Sequence, residues 1–170
     1  SLRLTGAGFT EVMTNSISKS EYYANTDSKL VHLQNSMTAE LDIMRPDLHH
    51  SLLEVVAHNV NRKQEALRLF EFGKTYQADY SQHEHLALIQ TGGAASLHPV
   101  SGYPHDLFVL KGVMEGVFDT LSTKGVWEEE KEATPYSYGL SYRVSDQMVA
   151  RLGRIKPSVA RLFNVEQAVH

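Results

Sequence analysis

The sequence predicts an α+β domain: an antiparallel β-sheet with helices packed on it. Strand-like segments come in adjacent pairs joined by short polar bends, at 67–90 and again at 136–156, which is the signature of hairpins. Residues 46–64 carry apolar side chains at a helical period, and so do residues 113–121. Strands and helices are mixed along the chain instead of alternating one to one, which separates this pattern from a parallel α/β sheet. With 170 residues, 42% of them apolar, the chain can build one domain with its own core over residues 1–170.

The elements follow in chain order. "LRLTGAG" has the form of a helix's last turn, closed by Gly6 or Gly8. "FTEVMTNSI" sets Phe9, Val12 and Ile17 among polar residues and reads as a strand. Ser18-Lys19-Ser20-Glu21 fits a capping box, so a short helix is expected over "KSEYYA". "NTDS" is a turn. "KLVHLQN" is a short strand with Leu30 and His32 on one face and Val31 and Leu33 on the other. The strongest helix is "PDLHHSLLEVVAHNVNRKQ", opened by Pro46 or Asp47. Leu52, Leu53, Val56, Ala57 and Val60 form its apolar stripe, and Asn59, Asn61, Arg62 and Lys63 its polar end.

"LRLFEFGKTY" and "HLALIQTG" form an antiparallel pair around the bend "QADYSQHE". Phe70 and Phe72 share a face of the first strand, and burying each ring is worth roughly 1.5–3 kcal/mol. "LFVLKGVMEGVFDTLSTKG" reads as a strand followed by a helix, with Val113, Met114, Val117, Phe118 and Leu121 on one stripe. "YSYGLSYRVSDQMVARLGRIK" is a hairpin turning at Ser145-Asp146, and "PSVARLF" is a short helix with Pro157 at its first position. No repeat of fixed period is present.

Composition removes several function classes. The absence of cysteine excludes disulfides, thiolate catalysis and Cys-based zinc sites from these residues, and it fits a reducing cytoplasm. A net charge of −4 leaves any RNA contact local. No apolar run approaches the roughly 20 residues of a membrane span. "SLRLTGAGFTEV" lacks a signal-peptide layout. The abrupt start inside a periodic pattern suggests one domain of a larger protein, and "QTGGAASLHPVSGYPHDL" has the composition of a loop.

Residue by residue, the candidates for chemistry are few. His49-His50 at a helix start and His83-Glu84-His85 near the bend could offer metal ligands. Two ligands do not make a site, however, and neither HExxH nor Cys accompanies them, so the expected metal set is none. "TGGAAS" lacks the lysine and following helix of a phosphate loop. "WEEEKE" is a charge run of the kind found on a solvated face or loop. No G-x-S-x-G elbow supports a hydrolase triad. Asp106 could bind a ligand or flank a strand, and Lys111-Gly112, at the expected strand–helix junction, could meet an anion or end a sheet. Arg143, Arg151, Arg154, Lys156 and Arg161 make the C-terminal third basic and could touch phosphate, although ordinary surface charge is the reading favoured.

Taken together, "GAGFTEVMTNSIS", "VHLQNSMTAELDIMRPDLHHSLLEVVAHNVNRK", "LRLFEFGKTY", "FVLKGVMEGVF" and "RLGRIKPSVARLFNV" resemble, in order and spacing and almost end to end, the synthetase-like core module of the bacterial phenylalanyl-tRNA synthetase beta subunit. Departures are small. The family usually has Pro where this chain has Ser36, and small residues near His49 and His50. The resemblance implies the class II aminoacyl-tRNA synthetase-like fold. In catalytic members of that fold, the segment like "LFEFGKTYQAD" is motif 2. Its arginine, just past the bend, grips the ATP α-phosphate and the aminoacyl carboxylate. A fork of donors suits the charge that builds on phosphorus in the transition state. Here Gln77 and Ala78 stand past the bend, a degenerate motif 2 with no catalytic residue and no cofactor held by this domain.

The resemblance therefore implies a catalytically silent domain supporting alpha/beta assembly in an (αβ)₂ heterotetramer. That holoenzyme uses ATP and magnesium to charge tRNA(Phe) in the cytoplasm, with no membrane partner. The opening helix and strand correspond to motif 1, an assembly element. The arginine of motif 3 has no match before His170. The alternative is an active ligase, or a free-standing amino-acid and ATP binder, in which Lys74, Arg62 or Lys111 replaces the missing cation.

Overall fold

A computed structural model describes residues 1–23, 29–36, 38, 40–64, 66–92, 107–131 and 135–170. The "NTDS" turn, most of the glycine-rich segment and Asp106 lie outside the described residues. The elements are α1 (Leu2–Gly6), β1 (Thr10–Glu11), β2 (Ile17–Ser18), a 3₁₀ turn (Ser20–Tyr23), β3 (Val31–His32), β4 (Ile43–Met44), α2 (His49–Val60), β5 (Arg68–Tyr76), β6 (Gln82–Gln90), α3 (Leu107–Thr120), β7 (Val126–Lys131), β8 (Tyr136–Val144), β9 (Gln147–Ile155) and α4 (Pro157–Arg161). Two three-stranded sheets carry the domain, β1-β5-β6 and β7-β8-β9, and a third small one joins β2, β4 and β3. All pairings are antiparallel except that of β1 with β5. The expected α+β architecture is present.

Helices cover both faces of the sheet. Leu69 and Ile89 pack with Leu52, Leu53 and Val56 of α2 and with Ala160 of α4. On the opposite face Phe70 and Leu152 pack with Leu107, Leu110, Met114 and Phe118 of α3. The division follows from the two-residue alternation of strands. The β8–β9 hairpin turns where expected. Ser145 and Asp146 take φ of 47° and 69°, the left-handed pair that a two-residue hairpin turn requires.

Four expectations are corrected. The strand over "FTEVMTNSI" is broken: β1 pairs with β5 and β2 with β4, and between them Thr14 turns to a buried carboxylate. "LFVLKG" is not a strand, because α3 begins at Leu107. Leu107, Leu110 and Met114 are buried on one helical stripe, and a four-residue apolar run cannot by itself tell the two periods apart. Lys111-Gly112 is therefore helix interior. "WEEEKE" enters a strand, β7. Trp127 packs on Tyr142 and Phe118, while Glu128 and Glu130 pair with Arg143 and Arg151. Finally, Phe72 is 55% exposed although Phe70 is fully buried; its ring stands edge-on to Phe70, beyond the reach of α3. Leu30, just before β3, is likewise buried, while His32 within it is exposed.

Arg45 and Glu71 are buried together, with side chains 3% and 1% exposed and 2.9 Å apart. Arg45 Nε donates to the Lys74 carbonyl at 2.9 Å, and Nη1 donates to Thr14 Oγ1 at 2.6 Å. Thr14 in turn donates from its hydroxyl to Glu71 Oε2 at 2.7 Å and from its backbone N–H to Oε1 at 3.2 Å. A Cβ on Gly73 would lie 2.5 Å from Arg45 Nη2 and 2.8 Å from Leu48 Cδ2, so glycine leaves the guanidinium its room. Breaking a buried pair on one side strands the other charge. We expect Arg45→Met or Glu71→Leu alone to lose about 3–5 kcal/mol in urea unfolding, and the double variant to lose less than the sum of the two. Additive losses would contradict the coupling.

Candidate functional site

The bend after β5 is a tight turn built by its own residues. Gln77 N–H donates to the Ser81 carbonyl at 3.1 Å, and Tyr80 N–H to the Gln77 carbonyl at 2.8 Å. Asp79 Oδ1 accepts from Ser81 N–H at 2.9 Å. Those Ser81 hydrogen bonds hold the Asp79 carboxyl below its ordinary value. Gln77 lines a groove of about 610 Å³ that opens between β6 and β9, together with Thr75, His85, Leu88, Met114 and Arg151. Ala78 is not among its lining residues.

The three cations considered as replacements are elsewhere. Lys74 sits opposite Glu84 in the β5–β6 ladder, 3.9 Å from it. Lys111 pairs with Glu115 at 3.3 Å and lies over the Trp127 ring. Arg62 contacts the His58 ring and carbonyl. None of the three lines the groove. Arg151 does, but Glu130 holds it at 2.7 Å. Asp47 and Glu84 add negative charge to the wall. Apart from histidines, the described lining offers no unpaired cation, and this set does not fit a nucleotide triphosphate.

The basic residues divide in two. Arg143 is matched by Glu128 at 3.0 Å and Arg151 by Glu130. Arg154 and Arg161 line a separate cleft of about 230 Å³ with Glu166, while Lys156 stands at the start of α4. The histidines do not converge either. The His83 and His85 rings are 6.3 Å apart on β6. Among the described residues no group of three or more His, Cys, Asp or Glu could hold a metal ion.

His49 and His50 belong to a different constellation, centred on Asp47. Its Oδ1 accepts from the backbone N–H of His49 at 2.9 Å and of His50 at 3.3 Å, and lies 3.1 Å from His50 Nδ1. Asp47 thus supplies the cap that Leu48, the residue at the helix boundary, does not. Burial opposes its ionisation, but hydrogen bonds and charge from His49 and His50 outweigh that and hold the carboxyl far below the carboxylate range. His49 Nε2 lies 2.7 Å from the Tyr136 hydroxyl. Burial pushes that phenol up to about 12, so it stays protonated and able to donate. His50 packs against Tyr22, Tyr23 and Phe163. The arrangement seats the N-terminus of α2 on β8. Sequence reading found Asp47 as a helix opener but had no signal for Tyr136, which lies 87 residues from His49.

The fold is that of a class II aminoacyl-tRNA synthetase core. Two solved structures of pyrrolysyl-tRNA synthetase from Desulfitobacterium hafniense superpose on 99% of the chain with TM-scores of 0.74 and 0.76, at 16% and 15% identity, covering 58% and 61% of those chains. The family description "phenylalanyl tRNA synthetase beta chain CLM domain" matches residues 1–170, and the chain belongs to that family. Among relatives named phenylalanine–tRNA ligase beta subunit, that of Bacteroides fragilis is 34% identical over 140 residues, or 70% of the chain. That of Porphyromonas gingivalis is 29% identical over 190 residues, or 99% of the chain. The chain spans 17% and 23% of their lengths, respectively. Among the described residues no helix is long and apolar enough to cross a membrane.

Because the Asp47 carboxyl titrates lower in the folded chain than in the unfolded one, its contribution is complete above about pH 4 and is lost as pH falls below that value. Asp47→Ala is expected to lower stability at pH 7 by about 0.5–2 kcal/mol, the range of a lost helix cap. It should also flatten the decline in stability below pH 4. Parallel urea titrations of both proteins across that pH range would reveal an unchanged slope if Asp47 were not the titrating group.

Proposed function

We propose that this domain is a catalytically silent, synthetase-like module of a phenylalanine–tRNA ligase beta subunit. It supports alpha/beta assembly in an (αβ)₂ heterotetramer, and the assembled holoenzyme aminoacylates tRNA(Phe) in the cytoplasm. One observation carries the reading: the bend that holds an arginine in catalytic members has Gln77 and Ala78, and the groove beside it has no unpaired guanidinium or ammonium among its described residues. Adenylate formation needs positive charge on the phosphate as negative charge builds there. On this reading ATP and magnesium act in the holoenzyme, outside this domain. What remains useful is shape: a sheet with helices on both faces and an opening helix and strand at its edge.

Replacing one oxyanion-type donor in a working site costs on the order of 10² to 10³ in rate. We expect Gln77→Ala, introduced into the assembled ligase, to leave phenylalanine-dependent ATP–pyrophosphate exchange within about twofold of the parent, far short of that loss. A fall of two orders of magnitude with assembly intact would sink the silent reading. The assembly role is checked separately: the domain should co-elute with its cognate alpha subunit on size exclusion, and separate elution would count against it.

A further inference from the structure

The cleft of about 230 Å³ beside α4 is built by a chain reversal. Asn164 takes φ of 57°, and its N–H donates to the Arg161 carbonyl at 3.0 Å, while Val165 N–H donates to the Ala160 carbonyl at 3.1 Å. A left-handed residue with such bonds ends a helix and turns the chain back. Residues 165–169 then return to β9, where Ile155 N–H donates to the Val169 carbonyl at 2.9 Å. The end of β9, α4 and the returning segment line the cleft, and they bring Arg154, Arg161 and Glu166 to it.

These two arginines differ from the others in the chain. Arg45, Arg143 and Arg151 are each matched by a glutamate. Arg3 donates to Thr120, Arg62 to the His58 carbonyl and Arg68 to the Ala7 carbonyl. Among the described residues the guanidinium groups of Arg154 and Arg161 have neither hydrogen bond nor ion pair, and Glu166 pairs with neither of them. Two forks of donors against one carboxylate leave the cleft with positive charge that the fold itself does not use, in the geometry that suits phosphate oxygens.

Tyr138 adds an independent observation. It stands opposite Arg154 in the β8–β9 ladder, so the two side chains share a face of the sheet. Tyr22, Tyr23, Tyr136 and Tyr142 pack against other rings. Tyr138 packs against none among the described residues and is 46% exposed. An exposed aromatic ring beside unpaired guanidinium groups is the combination that holds an unstacked nucleotide.

We propose that the cleft takes a backbone phosphate of an unpaired nucleotide in RNA, bound by Arg154 and Arg161, with the adjoining base stacked on Tyr138. The Glu166 carboxylate only accepts hydrogen bonds, and a ribose 2′-hydroxyl beside the phosphate supplies it with a donor. The inference names a contact to the tRNA of the function proposed above and rests on that reading.

The test uses the full-length beta subunit assembled with its alpha partner and an unmodified tRNA(Phe) transcript, whose affinity is measured by filter binding over a range of salt. Arg154→Ala combined with Arg161→Ala is expected to weaken binding about fivefold at roughly 0.1 M salt. It should lower the slope of log affinity against log salt by about 0.7, the share of one single-strand phosphate. Arg154→Lys combined with Arg161→Lys keeps the charge and should keep the slope. Tyr138→Ala is expected to weaken binding about tenfold, and Tyr138→Phe to leave it unchanged. Arg143→Ala, whose charge Glu128 already answers, should change neither affinity nor slope. An unchanged slope in the double alanine variant would overturn the proposal, as would an equal loss in Arg143→Ala or in Tyr138→Phe. So would calorimetric uptake of inorganic phosphate that the double alanine variant abolishes while its tRNA binding stays intact, because the cleft would then be a site for free phosphate. Co-elution with the alpha subunit is read on the same preparations. If the subunits elute apart, the titration is made on the full beta subunit, where a lowered slope supports the cleft even though the assembly reading has failed.

Discussion

The domain depends on one buried ion pair. Arg45 comes from the residue after β4, Glu71 from the middle of β5, and Thr14 from the break in the N-terminal strand; all three meet with every hydrogen bond at 3.2 Å or less. The backbone closes around the same point. Arg45 N–H donates to the Ser16 carbonyl, and Tyr76 N–H donates to the Arg45 carbonyl, each at 3.0 Å. The small β2-β4-β3 sheet and the large β1-β5-β6 sheet are thus locked where neither has a strand in common with the other. A buried pair of this kind adds little net energy compared with well-packed apolar side chains, since desolvation offsets most of the attraction. Its strength is positional: a guanidinium that must find both a carboxylate and the Lys74 carbonyl has few places to sit.

From that lock the rest of the domain follows in order. With Arg45 fixed, Pro46 and Asp47 come next, and Asp47 can cap α2 only because the chain leaves β4 at this point. Capping orients α2 across the face of β5 and β6 that carries Leu69 and Ile89. His49 then reaches Tyr136 at the start of β8, which ties the helix to the second sheet. The opposite face needs no polar device. There α3 lies on Phe70, Leu152 and Tyr142, and the Phe118 ring stacks on Tyr142 at 4.2 Å.

The sequence made the hairpins, the two stripes and the terminal helix legible because each rests on local chemistry: the period of apolar residues, a Pro at a helix start, a Ser-Asp pair that tolerates positive φ. It misled where one short apolar run fits two periods, as at "LFVLKG", and where charges hide a strand, as in "WEEEKE". In the latter the glutamates are answered by arginines on the other two strands of the sheet, a pairing between residues 15 and 21 positions apart in sequence that no local window can contain. Arg45 and Glu71 were invisible for the same reason. "IMRPD" and "LFEFG" could be quoted as family patterns, but nothing within either stretch says that its charge is buried. The bend was the opposite case: the absence of an arginine at Gln77 and Ala78 is a property of the sequence itself and needs no coordinates to be seen.

This contrast bears on how a fold can outlive its chemistry. Gln77 holds its turn through its backbone N–H and C=O, which any residue but proline supplies, so the identity of its side chain is free as far as the sheet is concerned. Glu71, six residues earlier on the same strand, is not free, because its carboxylate serves three donors in a dry interior. Charges in one short hairpin therefore answer to different constraints. Those inside the sheet are fixed by burial, since removing one leaves its partner unpaired in a low dielectric. Those past the bend are fixed by the reaction they perform, where there is one. When the reaction belongs to another site, selection on the second kind lapses while the first remains under full physical constraint. On the silent reading proposed above, the buried Glu71 and the uncharged Gln77 of this chain are what that division would produce.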